Sequence, residues 1–199
     1  GQASTVFMRG SNSNHTLVLV DGQRANPTTQ GGFDFGQLPL AQIEHIEIVR
    51  GPRAALWGSD AIGGIIHVFT RDPSKAFVEA RAGSYGRTML TAGFGHGDGE
   101  NSIGLSAGHD RSTGFSATNP AAGPWSFDPD QDGYRNSNVS MRGRTSLGGQ
   151  KLSFSGLLSD ADVEFDIGET AVRNSQFGLA LAGKLGPNWT HSLNLGRSH

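Results

Sequence analysis

The sequence predicts a small mixed α/β globule over residues 1–72, followed over residues 73–199 by about seven antiparallel strands of a transmembrane β-barrel, too few to close. Three observations carry this prediction. The first stretch holds compact apolar runs separated by Gly/Pro-rich connections. The second alternates apolar and polar residues with period two. The connections of the second stretch place both of its long loops at one end of an up-and-down sheet.

In the first stretch the apolar runs are "TLVLVDG" (16–22), "IEHIEIV" (43–49) and "GGIIHVFT" (63–70), joined through "NPTTQGG" and "RGPRAALWGSDAIGG". A helical turn is expected where "PLAQ" follows Pro39, since proline is tolerated at a helix start. A second is expected in "RAALWGS", ended by Gly58.

In the second stretch Ile103, Leu105 and Ala107 share one face of "NSIGLSAGH", and Val139, Met141, Thr145 and Leu147 share one face of "NVSMRGRTSLG". The rhythm recurs at Leu90/Ala92/Phe94, Leu152/Phe154/Leu158, Phe177/Leu179/Leu181/Leu185 and Trp189/Leu193/Leu195. Residues 76–83 follow it more loosely. Three connections are short: "GHGDGEN", "GGQ" and "GPN". The other three, at the opposite end, are "SYGR", a long loop over about 110–134 and another over about 159–173. Short turns at one end and long loops at the other suit an outer-membrane barrel. A soluble β-sandwich would also alternate. It is disfavoured here by the serine, glycine, asparagine and arginine of the polar face and by the lack of a Greek-key crossing. Leu105, Val139, Met141, Phe154, Leu179 and Leu193 are therefore expected to face lipid, with Arg142 and Arg144 on the lumen side.

Composition removes several function classes. The 199 residues include no cysteine, which excludes disulfides and thiolate metal sites. A net charge of −2 gives no electrostatic reason to expect nucleic acid. No run of 18 apolar residues is present, so no transmembrane helix can be drawn. The opening "GQASTVFMRG" reads as the interior of a fold, and the chain is expected to be part of something longer. The seven histidines (15, 45, 67, 96, 109, 191, 199) show no metal spacing, no serine sits in a nucleophile elbow, and "GSDAIGG" lacks the GK[ST] ending of a phosphate loop. An enzyme is not expected.

"VFMRGSNSNHTLVLVDGQR" and "PLAQIEHIEIVRGPRAALWGSDAIGGIIHVFT" resemble the plug domain of TonB-dependent outer-membrane receptors. "RGP…A.WGSDAIGG.I" is the most specific part, and the resemblance extends over essentially the whole chain. Within that family, "SNSNHTLVLVDGQR", "QLPLAQIEHIEIVRGPR" and "DQDG" are most similar to receptors for cobalamin. The resemblance implies a plug in a barrel of about 22 strands, in the outer membrane of a Gram-negative bacterium. Its partners would be outer-membrane lipid, a scarce ligand, and TonB through a segment that this chain does not contain. The ligand would be cobalamin, with an iron–siderophore as runner-up; aromatic and arginine-rich apical loops would favour the latter over "NPTTQGG". A passive porin-like or adhesive barrel is the alternative of another class, and a globular stopper argues against it.

Site residues follow from the same resemblance. Arg9, Arg50 and Arg53 would meet acidic groups of the barrel wall; without it, they read as solvated turn residues. Ala3, Thr5 and Asn12 match one cobalamin-contacting segment, and Thr29 and Gln30 the other, in a loop one residue shorter than the pattern. Asp128, Asp130 and Asp132, followed by Gly133, have the spacing of the front half of a calcium loop. The twelfth position is Val139 rather than glutamate and no helices flank the run, so an EF-hand is rejected. The resemblance instead implies a calcium cage in which Asp130 and Asp132 match directly and Asp128 replaces an amide ligand. Asp166 would add a second side and Phe165 its backbone carbonyl. Ser116 stands where the family pattern has an aspartate, and the loop after Asp166 is too short for the last acidic ligand. A solvated acidic turn is the plain alternative.

Overall fold

The computed structural model describes residues 4–27, 32–52, 57–71, 76–98, 100–116, 118, 119, 121, 123, 128–165 and 168–198. Two sheets make up the fold. The N-terminal one has four strands, β1 (Thr16–Val20), β2 (Gln23–Arg24), β3 (Ile43–Arg50) and β4 (Gly64–Thr70), in the order β2-β1-β4-β3. β1 and β4 run parallel, while β2 and β3 are antiparallel to their neighbours. Being central and covered on both faces, β1 is the unbroken apolar run "TLVLV", every residue of it buried.

The helical turns described in full are of the tight 3-10 type: Ser13–His15, Phe35–Gln37, Leu40–Gln42 and Ser59–Ala61. The turn expected after Pro39 is therefore present, but one turn long, because Ile43 immediately enters β3. The turn expected in "RAALWGS" falls mostly on residues 53–56, outside the described residues. Glycines shape this region: Gly51, Gly58 and Gly64 all have positive φ (102°, 89° and 150°).

Seven antiparallel strands follow in simple meander order: β5 (Phe77–Ala82), β6 (Thr88–Gly97), β7 (Ser102–Ser112), β8 (Tyr134–Leu147), β9 (Gln150–Phe165), β10 (Gly168–Lys184) and β11 (Thr190–Ser198). The register joins Leu105 to Met141, Val139 to Leu158, Phe154 to Leu179 and Leu181 to Leu193. All six residues expected to face lipid thus lie on one side, away from the N-terminal sheet, and five of them are exposed. The opposite side presses on the N-terminal sheet. Arg142 and Arg144 are on that side, as the alternation requires.

One expected loop is absent. Residues 159–165 and 168–173 are paired strand, with Asp160 opposite Arg173 and Ala161 opposite Val172, so only 166–167 separate β9 from β10. The acidic "SDADVEFDIGET" reads as a loop because it leaves the apolar band. In fact the strands outrun the band: β9 and β10 have 16 and 17 residues, against about 10 needed to span. There the polar side chains pair across strands, Arg173 with Asp160 at 2.9 Å and Arg135 with Asp162 at 3.8 Å. The long loop between β7 and β8 is present.

Most of the core lies between the two sheets. Val18, Val20, Ile66 and Val68 meet Met8, Ala25, Leu38 and, from the wall, Leu157. Burying Leu157 contributes about 1.5–3 kcal/mol to the union. A smaller cluster, Leu17, Leu19, Ala61 and Ile65, fills the other face of the N-terminal sheet.

Candidate functional site

The face that the strand wall turns to the N-terminal sheet is largely polar, with Ser106, Asn136, Asn138, Ser140 and Ser159 buried on it. Near the middle of the wall, Gln42 is fully buried. Its Nε2 donates to Asn138 Oδ1 at 2.8 Å, and its Oε1 accepts from Ser140 Oγ at 2.9 Å and from Ser106 Oγ. The serine hydroxyls lie 2.8 Å from each other. Gln42 is positioned by the Leu40–Gln42 turn, whose close is the Gln42 N–H donating to the Pro39 carbonyl at 2.9 Å.

Toward the short-turn end of the wall, the Asp21–Gly22 turn that joins β1 to β2 makes a second contact. Asp21 accepts from Thr70 N at 3.0 Å and from Thr70 Oγ1. Arg142 of β8 donates to the Thr70 carbonyl and sets Nη2 3.6 Å from Asp21 Oδ1. The Asp21 side chain is only 6% exposed, so this ion pair is screened far less than a surface pair. Beside it, Gln23 enters a notch formed by Gly178 of β10 and Gly196 of β11, which face each other in register. A Cβ at Gly196 would overlap Gln23 Oε1, and one at Gly178 would lie 2.6 Å from Gln23 Cγ. A third polar link joins Arg71, just past β4, to Glu79 of β5 at 3.3 Å.

These contacts differ from the arginine pattern expected from sequence. Among the described residues neither Arg9 nor Arg50 meets an acidic wall residue, and Arg53 lies outside them. The ion pairs that join the two sheets use Arg142, reaching from the wall to Asp21, and Arg71, reaching to the wall acid Glu79. The sequence signal available for the first was the Asp-Gly pair, a strong two-residue hairpin turn. Nothing in the chain's periodicity marks Asp21 as the partner of a residue so distant.

At the long-loop end, the segments around Ser4 and Phe35–Ala41 and the wall form an open cavity of about 730 Å³. Its floor is Ser4, Phe35 and Leu40, and its wall side includes Tyr85 and the ion-paired Arg87 and Asp110. Asp34 ties the floor together, accepting from Ser4 N at 2.8 Å and Gly36 N at 2.9 Å. Of the ligand candidates, Thr5 is exposed and adjoins Ser4, whereas Asn12 is exposed beside the Ser13–His15 turn and is not part of the lining. Ala3, Thr29 and Gln30 lie outside the described residues. Gly32 has the place of its absent Cβ 3.0 Å from Ser13 Oγ and 3.8 Å from Thr5 Cγ2. Gly32 therefore lies against the segment that carries Thr5. Phe35, Leu40, Tyr85 and Arg87 line the cavity without being ligand candidates in the sequence; "PLAQ" and "SYGR" signal turns there and nothing more.

The acidic run leads into β8. Asp128 O accepts from Ser116 Oγ at 2.7 Å, and Asp130 N lies 3.4 Å from Asp128 Oδ1. The loop is closed on β9, where Gly133 N donates to Glu164 Oε2 at 3.1 Å. Phe165 ends β9, and Asp166 lies outside the described residues. Among the described residues, no three His, Cys, Asp or Glu side chains gather closely enough to hold a metal. The aspartates that are described thus do not by themselves complete the donor set of a calcium site.

Residues 1–65 match the model of the TonB-dependent Receptor Plug Domain. The chain belongs to the TonB-dependent receptors. It is 40% identical over 171 residues to the vitamin B12 transporter BtuB of Photobacterium profundum, an alignment covering 83% of this chain and 27% of that protein. It is 60% identical over 70 residues to BtuB of Vibrio vulnificus, covering 35% of this chain and 11% of that one. Among solved structures, a mutant of the ferric enterobactin receptor PfeA of Pseudomonas aeruginosa matches with a TM-score of 0.69 at 18% identity, over 96% of this chain and 34% of that chain. The last likeness concerns the fold. The chain spans about a quarter of the Photobacterium transporter and a ninth of the Vibrio one. The N-terminal sheet is accordingly the plug, and the meander is barrel wall.

Proposed function

We propose that this chain supplies the plug and part of the wall of an outer-membrane receptor that binds a vitamin B12-type corrinoid and admits it on a signal from TonB. The observation that carries the reading is the plug seated on the wall through hydrogen bonds rather than through apolar packing alone. Each such bond exchanges with water at a net cost of about 0.5–1.5 kcal/mol. A stopper held this way blocks passage at rest and can still be moved, which a passive pore does not need. The ligand class rests on the relatives that are vitamin B12 transporters. The long-loop end is assigned to the outside, and the cavity floored by Phe35 and Leu40 to the ligand's approach.

Titration of the full-length receptor with cyanocobalamin, and separately with a ferric catecholate siderophore, tests the reading. Saturable binding of the corrinoid alone is expected; binding of the siderophore alone would replace it. Calcium belongs to this proposal only as a cation of the outer rim, with Asp130 and Asp132 as donors. The same titration with and without a chelator decides it: an unchanged corrinoid affinity leaves the aspartates as a solvated turn.

A further inference from the structure

The Asp21–Gly22 turn is held by more than its own hairpin. Both residues have positive φ (49° and 82°), the conformation of a two-residue hairpin turn. Asp21 N donates to the Val68 carbonyl at 2.9 Å, and Asp21 Oδ1 accepts from Thr70 N. Gly22 N donates to Nε2 of His67 at 2.8 Å. From this same turn the contacts to the wall depart: Asp21 to Arg142, and Gln23 into the Gly178/Gly196 notch. Whatever loosens the turn loosens both the Asp21–Arg142 ion pair and the seating of Gln23 in its notch.

We propose that this turn is a proton-sensitive catch, in which protonation of His67 removes the acceptor for Gly22 and weakens the seating of the plug on the wall. An imidazole nitrogen accepts a hydrogen bond only when it carries no proton; in the imidazolium both nitrogens are donors. Protonated His67 would therefore set an N–H against the Gly22 N–H. The ring cannot simply turn away, because it is packed on Phe69 at 3.9 Å between centroids, with His45 stacked at 4.4 Å on the same Phe69 ring.

The charged groups facing His67 come from three directions. Glu47 and His45 lie on β3, Asp21 is in the turn, and Arg142 is on the wall. Burial acts most strongly and lowers the pKa of His67 below its ordinary value; Glu47 and Asp21 oppose it, and His45 and Arg142 add to it. A depressed histidine pKa means that the seated form binds the proton less readily than a released one. The contribution to seating is thus complete above about pH 6.5 and is lost as pH falls through the lower, seated value. The inference holds whatever ligand the receptor carries, and its failure would leave the corrinoid reading untouched.

Amide hydrogen exchange of the full-length receptor in detergent, at about pH 7.5 and about pH 5.5, tests it once rates are corrected for their intrinsic pH dependence. The Gly22 and Thr70 amides are expected to lose protection on the order of tenfold at the lower pH. His67→Gln offers Oε1 to the same N–H and cannot be protonated, so the loss should vanish. His45→Gln should retain it. Equal protection of the wild type at both pH values, or a loss that survives His67→Gln, overturns the proposal. Should His67→Gln fail to fold, the imidazole titration of the wild type by NMR serves instead: a ring that titrates while Gly22 stays protected is equally fatal.

Discussion

Replacing Gln42 by leucine preserves much of the side chain's bulk and removes both of its hydrogen-bonding functions, at a point where three wall side chains converge. Ser106, Ser140 and Asn138 would then face an apolar surface in a site without access to water. Leaving buried polar groups unsatisfied costs about 1–3 kcal/mol, and a matching drop in thermal stability of the detergent-solubilised receptor is the expected outcome. An unchanged melting temperature would mean that the network contributes nothing to seating. The sequence marks Gln42 only as part of a turn after Pro39, since its partner Asn138 is 96 residues away and a lone glutamine carries no period. The same holds for Asp21 and Arg142. Long-range polar pairs have no local signature, which is why neither Asp21 nor its partnership with Arg142 could be named from sequence.

Along a single strand, alternation reads well wherever one face must be apolar. A one-residue slip would invert an entire strand, so the pattern "VSMRGR" alone sets Met141 outward and Arg142 inward. Met141→Arg is accordingly expected to cost about 2–4 kcal/mol of stability in the membrane, if its place in the apolar band is near the midplane. Ser140→Ala, one residue away on the plug side, should cost about 1 kcal/mol, the worth of a hydrogen bond. Urea unfolding from liposomes compares the two, and equal losses would contradict the facing assignment. Where alternation fails, the reason is physical. In "GLL", Leu157 and Leu158 point to opposite faces, and only the plug's apolar surface explains an inward leucine. Beyond the apolar band, β9 and β10 continue as strands whose outward residues are charged, so they imitate a loop.

For the chain taken together, the fold class is legible because a plug and a wall obey different patterns, one of compact apolar runs and one of strict alternation. The ligand was less so. Loops that recognise a large polar-rimmed molecule are short polar stretches without periodicity, and "NPTTQGG" could serve many ligands. If the plug is a movable stopper seated on this wall, holding it in its seat must block transport, and a covalent tether does that. Cysteine is absent from this stretch, so Arg71→Cys and Glu79→Cys introduce a reagent-accessible pair at the partly exposed ion pair of the seam. With these substitutions in the full-length receptor, cells are treated with a short bis-maleimide, and uptake and surface binding of radiolabelled cyanocobalamin are measured. Tethering is expected to abolish uptake while surface binding persists, with each single-cysteine receptor unaffected by the reagent. Uptake that continues at full rate through a receptor shown to be cross-linked would refute the movable stopper, because the ligand would then pass without the plug leaving its seat.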